Sequence, residues 1–270
     1  MFKNLINILR DFKNYFFPNK NPFGKKILAS KDYYLSIYEK AKSEKFLEID
    51  ILENSTGFNV DKSWLDELAL HTQVVKKKSA INYQHGRVLY SLLRKYIQDR
   101  NINFVKILEI GTARGFSSIC MSKAINDSGI KGVINTVDII PHKKKIYWNC
   151  IDDFEGKKTR ESLLSSWSEE LKNINFYTGP SSYVLKKIKM EKINFAFIDG
   201  MHDYYNIKKE LNFVKERQSI GDIIICDDYD LDKFEGVVKA LNDEDFSKKY
   251  NMLDFSSEPQ RTYAIATRIK

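Results

Sequence analysis

This chain has no disulfide framework and no cysteine-based metal finger: Cys120, Cys150 and Cys226 are its three cysteines, far apart and without a C-x-x-C pair. Reduced, buried thiols are the expectation, as in a cytosolic protein. No apolar run is long enough to span a bilayer, and there is no internal repeat or low-complexity tract. The formal net charge of +8 comes mostly from scattered lysines, with no arginine-rich block. Its tightest clusters, Lys76-Lys77-Lys78 and Lys143-Lys144-Lys145, read as solvated faces, so no nucleic-acid partner is expected. What is present is ordinary for a globular protein: 270 residues, 43% hydrophobic and 30% charged. That length suits one sizeable domain with an added segment.

Residues 1–17 put Phe2, Leu5, Ile6, Leu9, Phe12 and Phe16 on one helical stripe, with Lys3, Arg10 and Lys13 elsewhere on the wheel. The interrupting charges argue against a secretory or membrane-spanning segment. Such a helix either docks on the domain or a second subunit, which is the favoured reading, or lies on an anionic membrane. Pro18 and the residues to Gly24 read as a linker. Further helices are expected over 32–46, 61–77 (with Asp61 as N-cap) and 82–100. Residues 1–80 thus read as a helical segment, and 81–270 as the main domain.

From Phe104 the pattern changes to alternation. Strands are expected at 104–110, 132–138, 174–178, 193–198, 220–226, 249–255 and 261–269. Helices are expected between them at 115–127, 158–172, 181–189, 203–217 and 234–243. This pattern predicts an α/β fold, a mostly parallel sheet covered on both faces. The last two strands have no helix between them, so an antiparallel final hairpin follows.

The stretch Val105-Lys-Ile-Leu-Glu-Ile-Gly-Thr-Ala-Arg-Gly-Phe-Ser-Ser118 is a buried strand breaking into a glycine turn and then a helix. A dinucleotide fingerprint needs G-x-G-x-x-G, but Ala113 and Phe116 stand at its second and third glycine positions. An acid two residues before Gly111 suits a cationic ligand better than a pyrophosphate. Asp138 closes the next strand, where a carboxylate can accept both hydroxyls of a ribose. Two later strands also end in acids, Asp199 in one and Asp227-Asp228 in the other. Such acids converge on one crevice and repel unless a cation or hydrogen-bond donors compensate, and a hard divalent ion is the economical answer. The plainer reading is that they cap helices or bind water. His202, three residues after Asp199, has the intrinsic pKa of a general base.

Glu109-Ile-Gly-Thr-Ala-Arg-Gly115 resembles motif I of the class I S-adenosylmethionine-dependent methyltransferases. The acid-x-x-His segment at 199–202 and the acid pair at 227–228 resemble those of metal-dependent sugar and macrolide O-methyltransferases of the Methyltransferase-24-like group. The resemblance covers about residues 80–270 and implies a Rossmann-like sheet of seven strands. It implies a cofactor site at Glu109, Gly111, Thr112, Ala113, Gly115, Ser117, Asp138, Ser181, Ser182 and Asp199. It further implies Mg²⁺, or another divalent cation, on Asp199, Asp227 and Asp228, with His202 as catalytic base. One departure is Asp227, where related enzymes often have Glu. The segment 141–160, with Trp148, Asp152 and Arg160, reads as a lid or acceptor-binding loop in which Trp148 stacks on a sugar.

The expected activity is O-methyl transfer to a hydroxyl of a small molecule, sugar or glycan. No N-P-P-Y-type amine-binding motif is present. The alternative is an NAD-dependent oxidoreductase or a non-catalytic nucleoside-binding protein of the same fold. A homo-oligomer in the cytoplasm is expected, with peripheral contact to the inner face of the membrane through residues 1–17 left open.

Overall fold

A computed structural model describes residues 24–257 and 261–270 of the chain. The amphipathic stripe of residues 1–17 and most of the linker after it lie outside the described residues. Four helices come first: α1 (Lys31–Ser43), α2 (Leu47–Thr56), α3 (Lys62–Thr72) and α4 (His85–Arg100). The alternating part runs β1 (Phe104–Ile110), α5 (Phe116–Asp127), β2 (Lys131–Asp138), α6 (Arg160–Leu163), α7 (Ser168–Leu171), β3 (Ile174–Thr178) and α8 (Ser181–Val184). It continues through β4 (Phe195–Ile198), α9 (Tyr204–Lys215), β5 (Ile223–Asp227), α10 (Glu235–Leu241), α11 (Glu244–Ser247), β6 (Tyr250–Ser257) and β7 (Arg261–Arg268).

The seven strands form one sheet in the order β3-β2-β1-β4-β5-β7-β6. All neighbours are parallel except at β5–β7 and β7–β6, as the final hairpin requires. β1 and β4 sit at the centre, and all four residues of β4 are buried. Such runs lack alternation because helices cover both faces. One apolar cluster joins β1 and β4 to α5, α4 and the N-terminal helices through Phe195, Phe197, Leu89, Leu68 and Ile49. A second fills the opposite face between the sheet, α9 and α10.

The chain order reverses between β1, which leads outward to β2 and β3, and β4, which leads to β5. Ligand crevices in open α/β sheets form at the carboxyl ends of strands at such a switch point. The strand-end acids 109, 138, 199 and 227–228 all belong to that edge.

Four helices depart from expectation. The one expected over 181–189 stops at Val184. The segment 158–172 breaks into α6, a 3₁₀ turn at Ser165–Trp167 and α7. The helix expected over 61–77 stops at Thr72. The helix α2 has no counterpart among the expected elements; it buries Ile49 and Glu53 and closes on Gly57 at φ 77°, a left-handed C-terminal residue. The three cysteines are free and buried. Among the described residues, no helix is long and apolar enough to cross a membrane.

Candidate active site

A cleft of about 520 Å³ opens at the switch point, lined by the loops after β1, β2, β3 and β4. Gly111, Ala113, Asp138, Ser181, Ser182, Asp199 and His202 are on its wall. Gly111 adopts φ 101°, and a Cβ there would lie 1.9 Å from the Asp199 carbonyl oxygen. Only glycine lets the loop after β1 pass this close to the end of β4. Ala113 also has a positive φ, 46°. Its N–H donates to Asp138 Oδ2 at 2.6 Å, and the Ile140 N–H donates to Oδ1 at 2.7 Å. Two backbone donors thus fix the Asp138 carboxylate at the cleft wall. Burial pushes its pKa up, against the opposing charge of Arg160.

Glu109 is not on that wall. It is fully buried, and its carboxylate accepts hydrogen bonds from Ser117, Ser118 and Thr136. Burial raises its pKa, while those hydroxyls oppose the shift. Thr112 pairs its hydroxyl with Thr136. Gly115 starts α5 at φ 94°, where a Cβ would meet Leu164 Cδ1 at 2.6 Å. These residues therefore shape the loop from behind: Glu109 ties the start of α5 to β1 and β2.

At the other end of the cleft, Asp199, His202 and Asp228 come together. Each offers a ligand atom, all within 4.8 Å of one another. His202 Nε2 lies 2.9 Å from Asp228 Oδ2 and 3.9 Å from Asp199 Oδ1. That nitrogen is shielded from solvent and makes no aligned hydrogen bond. The imidazole packs on Phe234, ring centroids 4.5 Å apart. Gly236 lets α10 approach, since a Cβ there would meet the His202 carbonyl oxygen at 2.4 Å. Asp199 and Asp228 raise the His202 pKa to about 10. Burial and the Asp227 charge raise that of Asp199 to about 7. Asp228 sits in the left-handed region at φ 57°, a strained setting for a non-glycine residue.

The acid pair divides its work. Asp227, 2% exposed, turns away from the cleft and is held by one edge of the Arg261 guanidinium, Nε to Oδ1 at 3.0 Å and Nη2 to Oδ2. Arg261 Nη2 is also 3.6 Å from Asp199 Oδ2, and its Nη1 donates to the Asn82 carbonyl at 3.2 Å. Burial works against the guanidinium charge, but Asp227 outweighs it and holds the proton more firmly. A cation compensating the convergent acids is therefore a side chain of the protein. Sequence alone does not reveal it, because Asp227 pairs with Tyr263 across the β5–β7 register, and only that register puts Arg261 diagonally beside Asp227.

The lid expectation for residues 141–160 is overturned for its aromatic. Trp148 is 0% exposed; its indole N–H donates to the Lys158 carbonyl at 2.9 Å. With Ile146, Cys150 and Leu163 it makes a small core of its own. Asp152 is engaged by His71 and Lys158, and Asp153 accepts from the Trp148 and Asn149 N–H groups. An indole buried this way has no face for a sugar.

Ser181 and Ser182 start α8 at the cleft wall, and the Ser181 hydroxyl donates to Glu210 of α9. Met201, Asn206 and Glu210 complete that wall, and nothing in the sequence pattern singles them out.

Residues 108–229 match the model of a family described as a methyltransferase domain. No curated protein sequence matches the chain. Among solved structures, the O-methyltransferase NovP superposes with a TM-score of 0.54 at 13% identity, covering 89% of this chain and 100% of that one. The O-methyltransferase TomG from Streptomyces achromogenes, involved in tomaymycin synthesis and solved with S-adenosylmethionine, superposes with 0.52 at 15% identity, covering 79% and 92%. At such identities the likeness is one of fold, and it agrees with the observed strand order. The glycine turn and the acid closing β2 both lie within the matched methyltransferase domain, and the sheet around them has the Rossmann-like fold of these methyltransferase neighbours.

Proposed function

We propose that the protein is an O-methyltransferase that moves the methyl group of S-adenosylmethionine to a hydroxyl of a small molecule, sugar or glycan, with His202 as the proton acceptor. The observation that carries this reading is the cluster of His202, Asp199 and Asp228 at the end of the cleft that also holds Gly111 and Asp138. In the reaction the acceptor oxygen attacks the sulfonium methyl carbon, a C–O bond forms as the C–S bond breaks, and the hydroxyl proton passes to His202. Opposite charges cancel as the transition state forms, so correct positioning supplies much of the rate. The O-methyltransferase names of NovP and TomG support an oxygen acceptor.

The cluster fits a divalent cation, Mg²⁺ or another. Asp199 and Asp228 would hold it, since a hard ion that keeps most of its water needs one or two carboxylates. This leaves His202 for the proton and Asp227 with Arg261. When bound, such an ion supplies Lewis-acid polarisation of the acceptor hydroxyl and eases its deprotonation. It would also relieve a problem of the site itself: with Asp199 and Asp228 charged, His202 is held protonated up to about pH 10 and cannot take another proton at neutrality.

The test is incubation with methyl-labelled S-adenosylmethionine and a panel of sugar nucleotides, glycolipids and phenols, with Mg²⁺ or with EDTA. Label recovered as a methoxyl group, lost with EDTA, is expected. Label on nitrogen, or on nucleic acid, would overturn the reading. We also read the protein as a cytoplasmic homo-oligomer in which residues 1–17 make a subunit or membrane-surface contact. Sedimentation and vesicle flotation with and without those residues test this.

A further inference from the structure

Arg160 is 1% exposed and lies between two aromatic rings, 5.4 Å from the Trp148 centroid and 5.6 Å from that of Phe176. Its Nε donates to the Ala113 carbonyl at 2.9 Å and its Nη2 to the Ile140 carbonyl at 3.3 Å. These are the same two residues whose N–H groups donate to Asp138, at 2.6 and 2.7 Å. Ala113 and Ile140 are therefore each held twice, by N–H on Asp138 and by C=O on Arg160. One belongs to the glycine turn after β1, the other to the loop after β2, and both are on the cleft wall. The Gly111 N–H donates to the Val137 carbonyl at 2.9 Å where the two strands end; beyond that point, at Ala113 and Ile140, the side chains of Arg160 and Asp138 form the link.

We propose that Arg160, which does not itself reach the cleft wall, is a positioning residue for the cofactor: its guanidinium sets the spacing of the two loops so that Asp138 meets the ribose hydroxyls. The role suits arginine specifically, because a planar fork can serve two carbonyls in fixed directions while stacking between rings, and an ammonium cannot. Ala113 gives a second reason. Its left-handed backbone is unfavourable for alanine and persists where neighbouring contacts over-determine it. The guanidinium charge also faces Asp138 and opposes the upward push of burial on that carboxyl. The other titratable groups around the pair are Glu109, which interacts with both, and His142, which interacts with Arg160. An acid that stays ionised accepts two hydroxyl protons; a protonated one accepts with reduced capacity.

This inference rests on the reading of Asp138 as the ribose acceptor, and the experiment separates the two. Binding of S-adenosylhomocysteine to the full chain is measured by calorimetry from pH 5 to 8 for the parent, Arg160→Lys, Arg160→Gln and Asp138→Asn, each verified as folded by circular dichroism at the working temperature. Arg160→Gln is expected to bind about tenfold or more weakly, and its affinity is expected to fall off at a higher pH than the parent's as Asp138 takes up a proton more readily. Arg160→Lys is expected to lose affinity but keep the parent pH profile, since it keeps the charge and loses the fork. Affinity within twofold of the parent in both Arg160 variants, while Asp138→Asn binds weakly, overturns the role of Arg160. Unaltered binding by Asp138→Asn overturns the ribose reading instead. If Arg160→Gln does not fold, the Lys variant decides: parent-like affinity contradicts the proposal.

Discussion

Arg261, the first residue of β7, grips Asp227, the last residue of β5, with two parallel hydrogen bonds inside the protein. The pair is a built-in counter-charge for the acid cluster and sets what each acid is free to do. Removing one partner strands a buried charge, which costs about 3–5 kcal/mol. Arg261→Met should therefore destabilise the protein by roughly that amount in urea unfolding. Combining it with Asp227→Leu should recover most of the loss. A double variant as unstable as the single one would show that the pair is not the reason.

Metal binding should separate the two neighbouring acids. Asp228→Asn is expected to weaken Mg²⁺ or Mn²⁺ binding about tenfold or more in calorimetry, since loss of even an outer partner of a metal ligand costs about 10–100-fold. Asp227→Asn is expected to change that affinity much less and to act on stability. Equal losses of affinity from both substitutions would place Asp227 in the coordination sphere.

The cluster should leave a signature in stability against pH. Asp199 and His202 both have folded-state pKa values above their ordinary ones, about 7 and about 10. A group whose pKa is raised by folding stabilises fully below its unfolded pKa, and that contribution is lost as pH rises through the folded value. The pair titrates as a unit, so metal-free protein should lose thermal stability steadily as pH rises from near 4 to near 10. Asp199→Asn should remove the decline below pH 7. Scanning calorimetry in EDTA checks this, and a rising Tm over that interval would contradict the raised pKa values of the cluster.

Gly111 and Trp148 make opposite cases. Gly111→Ala puts a Cβ 1.9 Å from the Asp199 carbonyl oxygen at a left-handed φ, so the turn must move; methyl transfer in the labelled-methyl assay should fall about a hundredfold or more, since a misplacement of about 1 Å costs that much in rate. Trp148→Ala should cost about 3–5 kcal/mol of stability. Once the protein is folded at low temperature, its acceptor KM should stay near the parent value. A selective rise in acceptor KM would restore Trp148 to the acceptor site.

Much of this fold was legible because its central strands are apolar runs with sharp ends. The spans 104–110 and 174–178 appear as expected, while the broken helices around Trp167 and the unexpected α2 depend on packing that a local pattern does not carry. Strand-end acids could be read as a site because sheet topology gathers them at one edge. Which way each acid points could not. Glu109 faces α5, while Ile110 and Gly111 meet the cleft. Asp227 and Asp228 are adjacent, yet one is inside with Arg261 and the other faces His202. Arg261 and Arg160 lay beyond a sequence reading as partners, because 34 and 47 residues separate them from Asp227 and Ala113.

The chemistry assigned to His202 stands or falls on one comparison: methyl transfer by His202→Ala against the parent, with S-adenosylhomocysteine affinity measured on the same samples. Cofactor binding within about threefold of the parent, with transfer reduced about a hundredfold or more, is the expected result, the range for loss of a general base. Transfer at more than a tenth of the parent rate would contradict His202 as the group that takes the proton.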